Sequence, residues 1–199
     1  WAVEAVTQTQ DMTEGVASAL NQLGLVHKDV VIVSGIGCAS RFPFFMDTYG
    51  FHTLHGRTLP VATGIKLAND KLTVIVVGGD GDGFAIGGGH IPHAARRNVD
   101  ITYLLFDNGI YGLTGGQVAP TTPTGKRSTT TQSGSIEPPF DLVRLALGAG
   151  ASFVARTTSF DNKSMTSLIR RAISHRGFSV MDIVTSCPTY FGRMNEVAE

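Results

Sequence analysis

Five short runs of apolar residues punctuate the chain: Val30–Val33, Leu72–Val77, Ile101–Phe106, Ser152–Ala155 and Phe178–Val184. In the first, consecutive rather than alternate positions are apolar, the pattern of a parallel strand covered on both faces. The segments between the runs predict helices. Ala2–Leu25 forms one or two, with Val16, Leu20 and Leu23 at helical spacing and Gly24 as C-cap. Pro60–Asn69, Phe84–Arg97, a helix N-capped by Asp141 and ending at Leu147, and Ser164–His175 complete the set. Two stretches carry no periodicity: the aromatic segment Arg41–Arg57 and a long polar loop, Gly112–Pro139. Strands alternating with helices predict an α/β fold, a doubly wound parallel sheet with helices on both faces. No linker or internal repeat divides residues 1–199, so the expectation is a single domain.

Composition narrows the function classes. Sixteen basic and sixteen acidic side chains cancel, which predicts neither a nucleic-acid nor an anionic-membrane partner from overall charge. No apolar stretch approaches the roughly 20 residues of a membrane span. The N-terminal Trp1-Ala2-Val3-Glu4 lacks the basic start of a signal peptide. The two cysteines, Cys38 and Cys187, are no disulfide framework, so the expected location is the reducing cytoplasm.

The chemistry concentrates where strands end. Leu72–Val77 empties into Gly79-Asp80-Gly81-Asp82-Gly83, and 26 residues separate Gly81 from Asn108, at the end of the next strand. A glycine turn after a buried strand cradles phosphates, but aspartates would repel them unless a divalent cation lies between. The dinucleotide fingerprint fails, because Gly79 and Gly81 would need glycine where Phe84 stands. Mg2+, which takes one or two carboxylates with phosphate oxygens, fits Asp80, the Asn108 side chain and the Ile110 carbonyl. Spacing alone leaves open whether Asp80 or Asp82 ligates. Gly35-Ile36-Gly37-Cys38 is a second turn at a strand's carboxyl end.

Together with Ser34-Gly35-Ile36-Gly37-Cys38, Tyr49-Gly50-Phe51-His52-Thr53-Leu54-His55-Gly56-Arg57, His93-Ala94-Ala95-Arg96-Arg97-Asn98 and Tyr111-Gly112-Leu113-Thr114-Gly115-Gly116-Gln117, this turn resembles the thiamine-diphosphate (TPP) signature of the β subunit of 2-oxoacid:ferredoxin oxidoreductases, in particular the 2-oxoglutarate branch. The resemblance covers about Val30 to Cys187. It implies the TPP diphosphate-domain fold, with Asp80 as metal ligand and Asp82 either behind the metal ligands or beside the diphosphate. Cofactor contacts are implied along Gly37, Cys38, Ala39 and Ser40, at His55, along Gly79–Asp82, at Asn108 and along Ile110–Thr114, with Gln117 beside them and Leu113 toward the thiazolium. Cys38 and Cys187 match two of the four thiolates of a 4Fe–4S cluster. The remaining Cys-x-x-Cys is expected near or before Trp1, which implies an N-terminal truncation rather than a lost cluster; otherwise each cysteine is a small buried apolar residue.

By the same resemblance, the reaction is oxidative decarboxylation of a 2-oxoacid, such as 2-oxoglutarate to succinyl-CoA, with coenzyme A as co-substrate and electrons passing through the cluster to ferredoxin. The α subunit contributes the pyrimidine-binding domain, so the chain alone is expected to be inert. Pyruvate or a branched-chain 2-oxoacid is the alternative substrate. A non-redox TPP-dependent decarboxylase and a non-catalytic scaffold are the rival functions. His52, His55 and Arg41 are the candidate catalytic residues, with Arg57 a second carboxylate clamp. The His52/His55 and His90/His93 pairs lack the third ligand that zinc needs.

Overall fold

The computed structural model describes residues 4–196, with side chains from residue 12 onward. Helix α1 (Glu4–Gln22) is a single helix, whose expected first residues, Ala2 and Val3, lie outside the described range. Gly24 ends its exit turn with φ of 67°, the left-handed conformation that glycine adopts freely. The chain continues through β1 (Val30–Ser34), β2 (Tyr49–His52), α2 (Thr58–Ala68), β3 (Thr73–Gly79), α3 (Ile91–Arg97) and β4 (Thr102–Asp107). A two-residue hairpin, β5 (Ile110–Tyr111) and β6 (Gln117–Val118), precedes α4 (Leu142–Gly148), β7 (Phe153–Thr158), α5 (Asn162–Ser174), β8 (Ser179–Val184) and the short α6 (Arg193–Asn195). Asp141 caps α4 as expected, its carboxylate accepting from the amides of Val143 and Arg144.

Six parallel strands form one sheet in the order β2-β1-β3-β4-β8-β7. Alternate residues of the strands other than β2 feed two cores. Val30, Ile32, Ile75 and Met181 pack with α1 and α5, while Val31, Val33, Val74 and Val180 pack with α2, α3 and α4. This double burial explains the continuous apolar runs. Strand order reverses at β1, whose chain continues into β2 on one side while β3 lies on the other. Ligands gather in the crevice at such a switch point, outside the carboxyl ends.

Two expectations are corrected. The segment Arg41–Arg57 is not wholly irregular: Tyr49–His52 is an edge strand, paired only to β1 and exposed along its length, so it needs no apolar run. The helix expected from Phe84 begins only at Ile91, after a wide helical turn over Gly81–Ile86 and a tight turn over Gly88–His90. Three successive glycines, Gly87 to Gly89, favour no helix, and a side chain on Gly87 would stand 2.5 Å from the Asp82 carbonyl oxygen. His90 thus precedes the helix that carries His93. The polar segment Gly112–Pro139 is a loop, as expected, apart from the two-residue β6. Beyond the hairpin, Gly125 and Lys126 exchange main-chain hydrogen bonds with Ser135 at 2.7 and 2.8 Å. Asn195 grips Arg127 through both its amide and its carbonyl, at 2.7 and 3.0 Å.

Candidate functional site

At the carboxyl end of β3, Gly79 pairs with Phe106 of β4. This register sets Asp80 beside Asp107 and one residue short of Asn108. Asp80 is 2 % exposed, and its Oδ2 accepts from the Thr121 hydroxyl. Burial, and then the charge of Asp107, push the Asp80 carboxyl well above the ordinary carboxylate range. Burial raises Asp107 as well. Two neighbouring buried acids call for a cation or a proton between them. Asn108 Oδ1 accepts from the Ile110 amide at 3.1 Å, curling the loop back on itself. Asp80, Asn108 and Ile110 open onto one cavity of about 350 Å3. One carboxylate, one amide oxygen and one carbonyl form the hard oxygen set that Mg2+ prefers.

The glycines divide into two kinds. A side-chain carbon on Gly81 would stand 2.3 Å from the Tyr111 ring, and one on Gly83 2.2 Å from the Tyr103 hydroxyl. At Gly79 and at Gly37 (φ 85°) it would meet nothing within 4 Å, and both line the cavity. The first pair is dictated by packing. The second leaves backbone open to a bound group, which fits a diphosphate. Tyr111 closes the wall: its hydroxyl donates to the Gly81 carbonyl at 2.9 Å, and burial, with the charges of Asp80 and Asp82, raises its pKa.

Asp82 lines the same cavity but is held by other partners. Its Oδ1 accepts from the Gly56 amide and from His55 Nδ1, both at 2.8 Å, and from the Ile36 amide at 3.4 Å, while Oδ2 is buried without a partner. A side chain on Gly35 would collide with Oδ2 at 1.9 Å. The two aspartates of the turn thus have separate surroundings, Asp80 on the β4 side and Asp82 on the β1 side.

Cys38 and Cys187, 149 residues apart in sequence, meet across Gly112. Their sulfurs lie 3.2 and 3.5 Å from the point where a Gly112 side-chain carbon would stand. Both are free thiols lining the same cavity, and burial, with Cys187 nearby, raises the Cys38 thiol pKa. The pair fits half of a four-thiolate cluster. Among the described residues no group of three or more His, Cys, Asp and Glu side chains could hold a metal.

Of the remaining expected residues, Gly37 and Ala39 from the β1 turn and Gly112 and Leu113 from the hairpin line the cavity. Ser40 turns its hydroxyl to the Gly37 carbonyl at 2.6 Å, and Thr114 bonds Gln117 at 2.6 Å, outside the cavity. His55 stands edge-on to Tyr111, 6.0 Å between centroids. His52 bonds the Ser34 hydroxyl at 3.0 Å and tilts against Phe44, while Arg41 is exposed, near enough for its charge to favour the Cys38 thiolate. Arg57 is exposed and turns back to the Gly56 carbonyl. Sequence reasoning missed Thr121, Thr122 and Tyr190. Their one signal is that they belong to segments too long or too aromatic for idle connections.

This corner belongs to a recognised class. Residues 35–183 match the family described as "Thiamine pyrophosphate enzyme, C-terminal TPP binding domain", and the chain belongs to that family. Within it, the chain is homologous to the β subunits of 2-oxoacid:ferredoxin oxidoreductases. It is 50% identical over 171 residues to the 2-oxoglutarate oxidoreductase subunit KorB of Mycobacterium tuberculosis, covering 86% of this chain and 46% of that protein. It is also 50% identical over 167 residues to the 2-oxoglutarate synthase subunit KorB of Archaeoglobus fulgidus, covering 84% of this chain and 62% of that one. A solved structure, the 2-oxoglutarate:ferredoxin oxidoreductase from Magnetococcus marinus with 2-oxoglutarate, coenzyme A and succinyl-CoA bound, superposes with a TM-score of 0.90 at 46% identity, covering 92% of this chain and 63% of that one. The chain thus spans about half to two thirds of the relatives it matches.

Proposed function

We propose that the chain is the TPP- and Mg2+-binding part of a 2-oxoacid:ferredoxin oxidoreductase that converts 2-oxoglutarate and coenzyme A to succinyl-CoA and CO2, passing electrons to ferredoxin. The observation that carries this reading is the convergence of Asp80, Asn108 and Ile110 with the Cys38–Cys187 pair on one cavity. Bound TPP supplies an electron sink for decarboxylation, and a 4Fe–4S cluster supplies a one-electron outlet.

The chain's own residues bind and orient. Asp80, Asn108 and the Ile110 carbonyl hold Mg2+, while the open backbone at Gly37 and Gly79 admits the diphosphate. Asp82 orients the His55 ring by holding its Nδ1 edge. His55 and Arg41 take the polar ends of substrate or cofactor, and His52 buttresses the β1 turn through Ser34. Cys38 and Cys187 supply two cluster thiolates.

The rim supports sharing of the site with an α subunit. Phe44, Tyr49, Phe51 and Leu54 expose apolar side chains on and beside the edge strand β2, a kind of surface that marks interfaces. No helix among the described residues is long and apolar enough to cross a membrane, and free thiols suit a reducing cytoplasm.

An anaerobic assay of the native complex tests the proposal. With Mg2+, TPP, coenzyme A and a viologen dye, CoA-dependent dye reduction is expected, fastest with 2-oxoglutarate over pyruvate and a branched 2-oxoacid. Release of CO2 without dye reduction would replace it with the non-redox decarboxylase.

A further inference from the structure

The polar segment after β6 reaches the metal corner through one compact turn, Ala119–Thr122. The Thr122 amide donates to the Ala119 carbonyl at 3.0 Å, and the Ala119 amide donates back to the Thr122 hydroxyl at 2.8 Å. Two adjacent hydroxyls leave this locked turn in different directions. Thr121 donates to Asp80 Oδ2, at the end of β3. Thr122 donates to the Gly109 carbonyl at 2.6 Å, in the loop after β4, between Asn108 and Ile110. Both threonines are buried, at 8 % and 2 % exposure, so water does not compete for either bond.

Resting on the Mg2+ reading above, we propose that Thr121 and Thr122 are the positioning residues of the metal site, fixing its two halves relative to each other. Asp80 and Asn108 belong to different strands, and β-sheet pairing ends at Gly79–Phe106 and Gly78–Leu105. Beyond that point the sheet does not hold the two turns in register. The threonine pair does so. Thr121 fixes the plane of the carboxylate by occupying one of its oxygens. Thr122 fixes the peptide that joins the amide ligand to the carbonyl ligand, where Gly109 takes φ of 69°. Hydroxyl groups suit this task because each donates one proton to an oxygen without adding charge to the ion's surroundings. Partners that orient metal ligands commonly carry about 10–100-fold of metal affinity.

The test uses the native complex with TPP and Mn2+ as a spectroscopic substitute for Mg2+, its bound fraction read by electron paramagnetic resonance. Thr121→Val keeps the side-chain shape and removes the hydroxyl, and should weaken Mn2+ binding about 10–100-fold. Thr121→Ser should retain wild-type affinity. Asp80→Asn is the reference for a lost ligand. Wild-type affinity in Thr121→Val beside lost binding in Asp80→Asn overturns the positioning role and leaves the metal site standing. Wild-type affinity in Asp80→Asn overturns the metal reading itself. Should Thr121→Val fail to assemble, Thr121→Ala and Thr121→Ser decide, since both lack the methyl and only serine keeps the hydroxyl. Equal affinities in those two overturn the role.

Discussion

Asp82 holds His55: Oδ1 lies 2.8 Å from His55 Nδ1 and also collects the amides of Gly56 and Ile36. One buried carboxylate therefore ties the turn after β3 to the segment after β2 and to the turn after β1. Asp82→Ala should leave the Gly56 amide and the His55 ring without their acceptor, destabilising the chain by about 2–3 kcal/mol. Denaturant unfolding of the variant measures this. A loss no larger than that of an exposed Asp47→Ala control would refute it.

A side chain at Gly112 would crowd the Cys38 sulfur at 3.2 Å and touch that of Cys187 at 3.5 Å. Gly112→Ala should cost about 1 kcal/mol or less of fold stability, yet drive the Cys38 and Cys187 sulfurs apart. The expected result is a several-fold lower iron-to-protein ratio in the purified complex, with unchanged circular dichroism. Unchanged iron would show that the sulfurs do not need this spacing.

Asp182 on β8 is 1 % exposed and has one unpartnered oxygen, Oδ1, while Oδ2 accepts from Arg156 Nε at 2.7 Å. Burial, with the charge of Asp107, raises its pKa from 3.8 to about 6, against the pull of Arg156. The fold thus binds this proton more tightly than the unfolded chain does. Its stabilising contribution is complete below about pH 4 and is lost as pH rises through about 6, on the order of 3 kcal/mol. Thermal melting between pH 4 and pH 7 should show that slope, and Asp182→Asn should make it shallower, the raised Asp80 and Asp107 carboxyls keeping the rest.

Asn98 ends α3 in the left-handed conformation, φ 48°, and its Oδ1 accepts from the Phe178 amide at 2.9 Å and the Ser152 hydroxyl at 2.7 Å. It pins the helix end to the starts of β7 and β8. Asn98→Ala should lose about 2 kcal/mol from backbone strain and the missing acceptor, whereas Asn98→Gly should lose less, because glycine relieves the strain. Equal losses in urea unfolding would assign the effect to the hydrogen bonds alone.

The legible parts of the sequence were those written locally. Buried strands such as Leu72–Val77 announce themselves because both faces are apolar, and Asp141 announces a helix start. β2 was hidden because an edge strand with four exposed residues carries no such pattern. The Gly/Asp turn drew attention by its composition, but the division of labour between Asp80 and Asp82 depends on which neighbouring turn each faces, and that is set by sheet order. The resemblance leaves Asp82 either behind the metal ligands or beside the diphosphate. The structure shows it held among Ile36, His55 and Gly56. Thr121 and Thr122 lie in a segment of ordinary loop residues, and their importance comes from partners 41 and 13 positions away.

Surface connections are ordinarily where a protein family accepts insertions and length changes at small cost. The stretch from Gly109 to Ser135 has given up that freedom. It is anchored at the end of β3, in the loop after β4, and at α6 near the C-terminus. Adding or removing a residue on either side of Ala119–Thr122 would shift a hydroxyl away from its acceptor. A tag or peptide graft placed there would cost the cofactor pocket, while the exposed turn at Asp70-Lys71 between α2 and β3 lies far outside it and would accept the same cargo.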